Sequence, residues 1–143
     1  MSKLYLIPLI IIVLSCNPQP DEERSIINEN NTSEASIIPG SFAHTVYFWL
    51  HEPKNQDHRK SFETSLKKFL NTSKNITTKH IGIPAPTDRE VIDNSYTYSL
   101  LLTFKDKEAQ DRYQEEPAHK LFIEESSGLW SKVLVYDSVN IIE

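Results

Sequence analysis

Apolar and polar positions alternate through residues 41–50, which predicts a first β-strand with two different faces. One face carries Phe42, His44, Val46, Phe48 and Leu50, and the other carries Ala43, Thr45, Tyr47 and Trp49. A sheet covered by helices on one side needs only one apolar face. Because both faces carry large apolar groups, the second face is predicted to meet a partner sheet.

Three more strands and two helices follow from the same kind of pattern. Strands are predicted at residues 76–83, 96–104 and 133–142, with a charged loop at 88–95. Residues 55–70 have helical period, and Phe62, Leu66, Phe69 and Leu70 share one face. A second helix is predicted at 107–125, kinked at Pro117, because proline removes a helix hydrogen bond.

The element order is therefore β-α-β-β-α-β, which predicts an α+β fold. Two β-α-β units with right-handed crossovers give a ferredoxin-like antiparallel sheet with both helices on one face. The other face would carry Tyr47, Trp49 and Leu101, and apolar surface costs about 25 cal/mol per Å² in water. Two such sheets packed face to face, as in a dimeric α/β barrel, would bury it, so a homodimer is predicted.

The first residues resemble a secretion signal rather than part of the folded domain. Lys3 precedes an apolar run at residues 4–14, which is too short to span a bilayer but typical of a secretory signal. The run ends in Ser15-Cys16, which resembles a bacterial lipobox. These features predict a signal peptide at 1–15, a lipidated Cys16 opening a disordered tether at 16–40, and a folded domain at 41–143. An ordinary signal peptide with an incidental cysteine is the alternative.

A lipid on Cys16 would place the protein at the bacterial cell envelope, attached to a membrane through that anchor. Asn17 follows the cysteine, where an aspartate is associated with retention at the inner membrane. The outer membrane is therefore the predicted location.

Composition narrows the possible functions. Of 143 residues, 38% are hydrophobic and 24% charged, which is usual for one globular domain. The net charge of −5 gives no basic footprint for nucleic acid. The single cysteine and five scattered histidines match no metal motif, and no nucleotide or flavin motif is present. No metal and no cofactor is therefore predicted.

The folded region resembles the stress-responsive α/β-barrel (Dabb) family over about residues 42–138. The resemblance rests on His44 in the first strand and the run Tyr96-Thr97-Tyr98-Ser99-Leu100 in the third. It rests most on Tyr113, on Pro117-Ala118-His119 and on the closing run Val133-Leu134-Val135-Tyr136-Asp137. Members of the family are typically homodimers whose sheets form a barrel, and most have no assigned activity.

The resemblance also implies candidate catalytic residues. The relative with the best-understood mechanism is the plant cyclase that makes olivetolic acid, which uses histidines and tyrosines in a pocket between sheet and helices. His44, Tyr113 and His119 stand at positions that match its motif, whereas Tyr98 stands where it has a histidine. We expect these four residues to meet between sheet and helix, beside a cavity of about 300 Å³ or more.

Two classes of function stay open. The chain is either a binding module for a small apolar or aromatic molecule, or a cyclase- or lyase-like enzyme without a cofactor that acts on a carbonyl compound. In the enzyme, His119 and His44 would be the acid and base. A structural role is the alternative for His119, since its ring can satisfy a backbone group freed by the kink. His44, on an apolar strand face, needs a partner. The pair Glu115-Glu116 is interpreted as solvated.

Overall fold

A computed structural model describes residues 37–142. The predicted signal peptide, the lipidation site Cys16 and the tether as far as residue 36 lie outside the described residues. No helix in the described part is long and apolar enough to cross a membrane. The elements in chain order are β1 Phe42–Leu50, α1 Gln56–Thr72, β2 Thr78–Gly82, β3 Tyr98–Phe104, α2 Lys107–Gln114, α3 Pro117–Ser126, a short 3₁₀ turn Ser127–Leu129, and β4 Trp130–Val139.

The four strands form one antiparallel sheet in the order β2-β3-β1-β4. This is the predicted ferredoxin-like α+β fold. The central strand β1 pairs with β3 on one side and β4 on the other, so His44 lies opposite Leu102 and Asp137. This register positions the candidate site, since residues directly opposite each other share one face of the sheet.

The core lies between the sheet and the helices. The predicted apolar face of α1 is buried, and Phe62 is fully excluded from solvent. Phe62 packs against Phe48 and stacks on Tyr98, with ring centroids 5.1 and 5.0 Å apart. Asn55 begins α1 as its N-cap, because its side chain accepts hydrogen bonds from two backbone amides of the first turn.

The predicted kinked helix is two helices, and this part of the prediction was wrong. Glu116 is extended (φ −59°, ψ 134°), and Pro117 opens α3 as its first residue. Glu116 also is not a solvated residue. Its Oε1 accepts hydrogen bonds from the Lys74 amide at 3.0 Å, the Asn75 amide at 3.2 Å and Asn75 Nδ2 at 2.5 Å. The break between the helices is thereby tied to the segment that joins α1 to β2.

The third strand also begins later than predicted. Residues 83–97 have no regular helix or strand, and β3 starts at Tyr98. Tyr96 does not share the face of Tyr98, because its ring packs edge-on against Tyr47 on the opposite face of the sheet, 5.0 Å away. The last strand begins three residues earlier than predicted, at Trp130, which pairs with Leu50. We call the face without helices the open face.

Candidate functional site

Three of the four predicted site residues meet at one end of the layer between sheet and helices. His44 comes from β1, Tyr113 from α2 and His119 from α3. The ring of Tyr113 lies 5.9 Å from that of His44 and 4.8 Å from that of His119, measured between centroids. His44 is 6% exposed and Tyr113 is 2% exposed. We call these three residues the His–Tyr–His cluster.

The break between α2 and α3 brings two of these side chains together. Tyr113 lies in the last turn of α2 and His119 in the first turn of α3, on either side of the extended Glu116. Phe69 of α1 packs against both residues. Its ring centroid lies 5.5 Å from that of Tyr113 and 5.4 Å from that of His119. Phe104 of β3 lies 4.9 Å from Tyr113. The cluster is therefore enclosed by aromatic rings.

His44 has a partner that the sequence did not identify. Its Nδ1 lies 2.6 Å from Oδ1 of Asp137, which is directly opposite on β4. A carboxylate accepts hydrogen bonds, so this contact favours a proton on Nδ1. The Asp137 side chain is 45% exposed, so the pair lies where the cluster reaches solvent. In the sequence, Asp137 is visible only as an acidic residue after an apolar run. The pairing of β1 with β4 is what places it beside His44.

His119 bonds to the backbone beside the helix break. Its Nδ1 lies 3.2 Å from the carbonyl oxygen of Gln114, and a carbonyl only accepts, so Nδ1 carries the proton. Burial lowers the pKa of His119, and the nearby His44 adds to this, while the Gln114 carbonyl and Glu116 oppose it. The bond thus satisfies the Gln114 carbonyl at the end of α2, and the lowered pKa favours the neutral imidazole.

The prediction that Tyr98 joins the other three residues was wrong. Tyr98 lies opposite Phe48, four positions along β3 from the partner of His44, which corresponds to roughly 13 Å of strand. Its hydroxyl donates to Oε1 of Glu63 at 2.7 Å, and Arg59 lies over its ring at 4.9 Å. Burial and the bond to Glu63 raise the pKa of Tyr98. The sequence predicted the correct face of the sheet for Tyr98, but Tyr98 lies too far along β3 to contact the cluster.

Chemically, the cluster offers one phenol and two imidazoles. Burial raises the pKa of Tyr113, with a smaller contribution from the charges of Glu116 and Asp137, so the phenol stays neutral and its hydroxyl can donate or accept a hydrogen bond. No hydrogen bond joins the Tyr113 hydroxyl to another group within residues 37–142. Within the same residues, no three His, Cys, Asp or Glu side chains are grouped closely enough to hold a metal ion.

The expected cavity does not coincide with any of four well-formed cavities that lie along the described residues. None of the four is lined by His44, Tyr98, Tyr113 or His119. One of about 240 Å³ lies between α1 and α3, and its lining includes Phe69, Pro117 and Ala118. Another, of about 510 Å³, lies on the open face. Around the cluster itself, the ring centroid of Tyr113 lies 5.5 Å from that of Phe69 and 4.9 Å from that of Phe104.

Comparison with known families gives a match over most of the chain. Residues 42–140 match the model of the Stress responsive A/B Barrel Domain, or Dabb. A Dabb family protein with a ferredoxin-like fold from Mesorhizobium loti is 26% identical, with a TM-score of 0.60, and the match covers 71% of this chain and 98% of that one. No curated protein matches this chain.

Two further solved structures share the fold. A dimeric ferredoxin-like protein of unknown function from Thermobifida fusca is 14% identical, covering 75% of this chain and 98% of that chain with a TM-score of 0.58. A hydroxynitrile lyase from Passiflora edulis is 17% identical, covering 74% and 99% respectively with a TM-score of 0.59. At these identities the likeness concerns the fold alone. Since the family model matches well over half of its residues, the chain belongs to the Dabb family.

Proposed function

We propose that this chain is a homodimeric Dabb module held at the bacterial envelope by a lipid on Cys16, and that the His–Tyr–His cluster closes its core instead of performing catalysis. One observation carries the proposal for the cluster. Its rings pack against Phe69 and Phe104, and the Nδ1 proton of His119 is committed to the Gln114 carbonyl. An imidazole that is hydrogen-bonded to the backbone at a helix break stabilises the break, because it supplies a partner to a carbonyl that the helix leaves unpaired.

The open face supports the homodimer. It carries Trp49, Leu101 and Tyr136, and no helix covers it within the described residues. Burying such apolar surface contributes about 25 cal/mol per Å². Several solved neighbours with this fold are described as dimeric. Association of two sheets through this face is the assembly that these observations favour.

Sedimentation of the full chain tests the dimer. Leu101→Lys should shift the chain toward monomer at micromolar concentration, because it places a charge within the contact. Thr64→Lys adds the same charge on the exposed side of α1 and should leave the dimer intact. A monodisperse monomer for the unchanged chain would exclude the assembly.

The lipid anchor rests on the apolar run at 4–14 followed by Ser15-Cys16. Cys16→Ser should move the protein from the membrane fraction to the soluble fraction and abolish labelling with a radioactive fatty acid. Asn17→Ser, one position later, should change neither result. Unchanged labelling of the Cys16→Ser variant would show that the lipid is elsewhere. In fractionated envelopes we expect the protein in the outer membrane.

A second candidate function is a cofactor-free enzyme acting on a carbonyl compound, with His44 and His119 as acid and base. The 2.6 Å contact between His44 and the half-exposed Asp137 favours it, because a carboxylate that orients an imidazole is a common catalytic arrangement. The Tyr113 hydroxyl, which has no partner among the described residues, could then bind the carbonyl oxygen. Cyanide release from a cyanohydrin is a direct assay, since one neighbour in fold is a hydroxynitrile lyase. Turnover that Tyr113→Phe abolishes without loss of fold would establish this function.

A further inference from the structure

The helix layer carries a cavity on its own side of the sheet, away from the open face. It has a volume of about 240 Å³, and every residue that lines it belongs to α1 or α3. Because no strand residue lines it, association of two sheets through the open face leaves it accessible. The cavity therefore belongs to one protomer. We call it the interhelix cavity.

Two stacked aromatic rings form the apolar floor of this cavity. The centroids of Phe69 and Phe122 lie 5.3 Å apart, and the ring planes are inclined by only 14°. Ala118 lies one turn before Phe122 on α3, and its methyl group is too short to fill the space beside the rings. Leu121 lines the same space and is 38% exposed, so apolar surface here reaches solvent. Burying this surface against an apolar ligand is favourable.

The interhelix cavity is elongated, because it follows two antiparallel helices. At one end Ser65 of α1 donates to Oε2 of Glu125, near the end of α3, at 2.5 Å. At the other end the last residue of α1, Thr72, lines the cavity together with Pro117, the first residue of α3. The stretch of helix from Ser65 to Thr72 rises by about 10 Å. A linear chain fits such a shape better than a compact ring system does.

Charge is concentrated at one end of the interhelix cavity. A second, polar cavity adjoins that end, and the two share Ser65, Lys68 and Glu125. The polar cavity is also lined by Lys60, for which no ion pair is present within residues 37–142. Lys68 Nζ lies 3.3 Å from Oε1 of Glu125. Two ammonium groups thus face one carboxylate, so this end is net positive and favours an anion.

We propose that the interhelix cavity binds a small amphiphilic anion, namely a medium-chain fatty acid. The alkyl chain lies along Phe69 and Phe122, and the carboxylate lies at the charged end, beside Lys60 and Lys68. An apolar cavity of about 150 Å³ holds benzene, so about 240 Å³ suits an alkyl chain of roughly eight to ten carbons. This site goes beyond the proposed function, since it uses neither the His–Tyr–His cluster nor the open face.

Photoaffinity labelling of the full chain with a diazirine derivative of decanoate tests the proposal, with mass spectrometry to locate the labelled residues. We expect saturable labelling within residues 65–72 and 117–125. Decanoate should suppress the labelling, whereas butanoate, which lacks most of the chain, and 1-decanol, which lacks the charge, should each compete roughly tenfold less well. Because the cavity lies within one protomer, the labelled positions should be the same whether or not the chain dimerises.

Three variants separate the two parts of the site. Ala118→Phe places a ring in the cavity and should lower the affinity for decanoate roughly tenfold, or about 1.4 kcal/mol. Lys60→Gln removes an exposed cation at the charged end and should lower the affinity roughly fivefold without loss of the fold. Lys67→Gln is the matched control, because it removes the same charge from α1 at a position that lines neither cavity. It should stay within about twofold of the unchanged chain.

The proposal is overturned if the unchanged chain shows no saturable labelling, or if the label lies on the strands instead of α1 and α3. It is also overturned if 1-decanol competes as well as decanoate, or if Lys67→Gln has the same effect as Lys60→Gln. Unchanged affinity in a folded Ala118→Phe chain would exclude the cavity as the site of the alkyl chain. If Ala118→Phe does not fold, the comparison of Lys60→Gln with Lys67→Gln still decides whether the anion binds at this end.

Discussion

The two faces of the sheet differ in how their polar groups are used. On the helix-covered face His44 bonds to Asp137, His119 to the Gln114 carbonyl and Tyr98 to Glu63. On the open face, the hydroxyls of Tyr47, Tyr96 and Tyr136 have no hydrogen-bond partner within residues 37–142. The covered face is filled by stacked rings, whereas the open face keeps about 510 Å³ of accessible space.

This difference shows why a histidine on a buried strand face is weak evidence for catalysis. Burial makes an unpaired polar group expensive, so a buried histidine acquires a partner from the chain itself. The open face has no covering helix in the described residues, and it is the face through which we propose that two copies associate. The contrast therefore assigns the stability of one protomer mainly to the covered face.

The largest expected effect comes from removing a ring on the covered face. Phe62→Ala should lower the free energy of unfolding by roughly 3–5 kcal/mol, because Phe62 has no solvent exposure and its loss leaves a cavity. Tyr136→Ala should cost about 1 kcal/mol or less, since Tyr136 is already 57% exposed. Urea unfolding at one fixed protein concentration measures both. Equal losses would remove the distinction between the faces.

A smaller effect is expected at the contact between His44 and Asp137. Asp137→Ala should cost about 1–2 kcal/mol, because it leaves the buried Nδ1 donor of His44 without an acceptor. Asp137→Asn retains a side-chain oxygen that can accept, so it should recover part of the loss. Thermal unfolding of the two variants provides the measurement. If Asp137→Ala unfolds at the same temperature as the unchanged chain, the bond at 2.6 Å contributes no stability.

Much of the fold could be predicted from the sequence because its signals are local. The alternation in β1 and the helical period of α1 predicted which residues are buried, and the β-α-β-β-α-β order then predicted the sheet. Glu116 was misinterpreted because its partners, Lys74 and Asn75, lie forty residues away in the chain. Local pattern carries no information on such contacts.

The candidate site was predicted less well for a related reason. Alternate residues of a strand lie on the same face of the sheet, so the sequence placed His44 and Tyr98 correctly on the helix side. Which residues lie side by side depends on how the strands pair, and the local pattern does not show this. The pairing of β1 with β4 places Asp137 beside His44, and the pairing of β1 with β3 places Tyr98 opposite Phe48. Tyr96 has the same parity as Tyr98 but lies before the strand begins, so its ring reaches Tyr47 on the open face. The contact between Tyr96 and Tyr47 was missed on that account.

The smallest effect is a pH dependence that belongs to His119. Its pKa is lowered from about 6.5 in the folded chain, so the unfolded chain binds the proton more readily. The stability that this contributes is present above pH 6.5 and is lost as the pH falls through the folded pKa. The difference in unfolding free energy between the unchanged chain and His119→Gln should therefore shrink on acidification. A difference that grows would mean a raised pKa.

The central claim, that the His–Tyr–His cluster stabilises the fold and does not bind the ligand, is tested most directly by His119→Ala. The variant leaves the Gln114 carbonyl unpaired and removes a ring that packs on Phe69 and Tyr113. Our account predicts a loss of roughly 1–3 kcal/mol in unfolding free energy, with dimerisation retained. The substitution Lys60→Ala, at an exposed position of α1 away from both the cluster and the open face, should change none of these. Unchanged stability together with lost binding or lost turnover in His119→Ala would contradict the account.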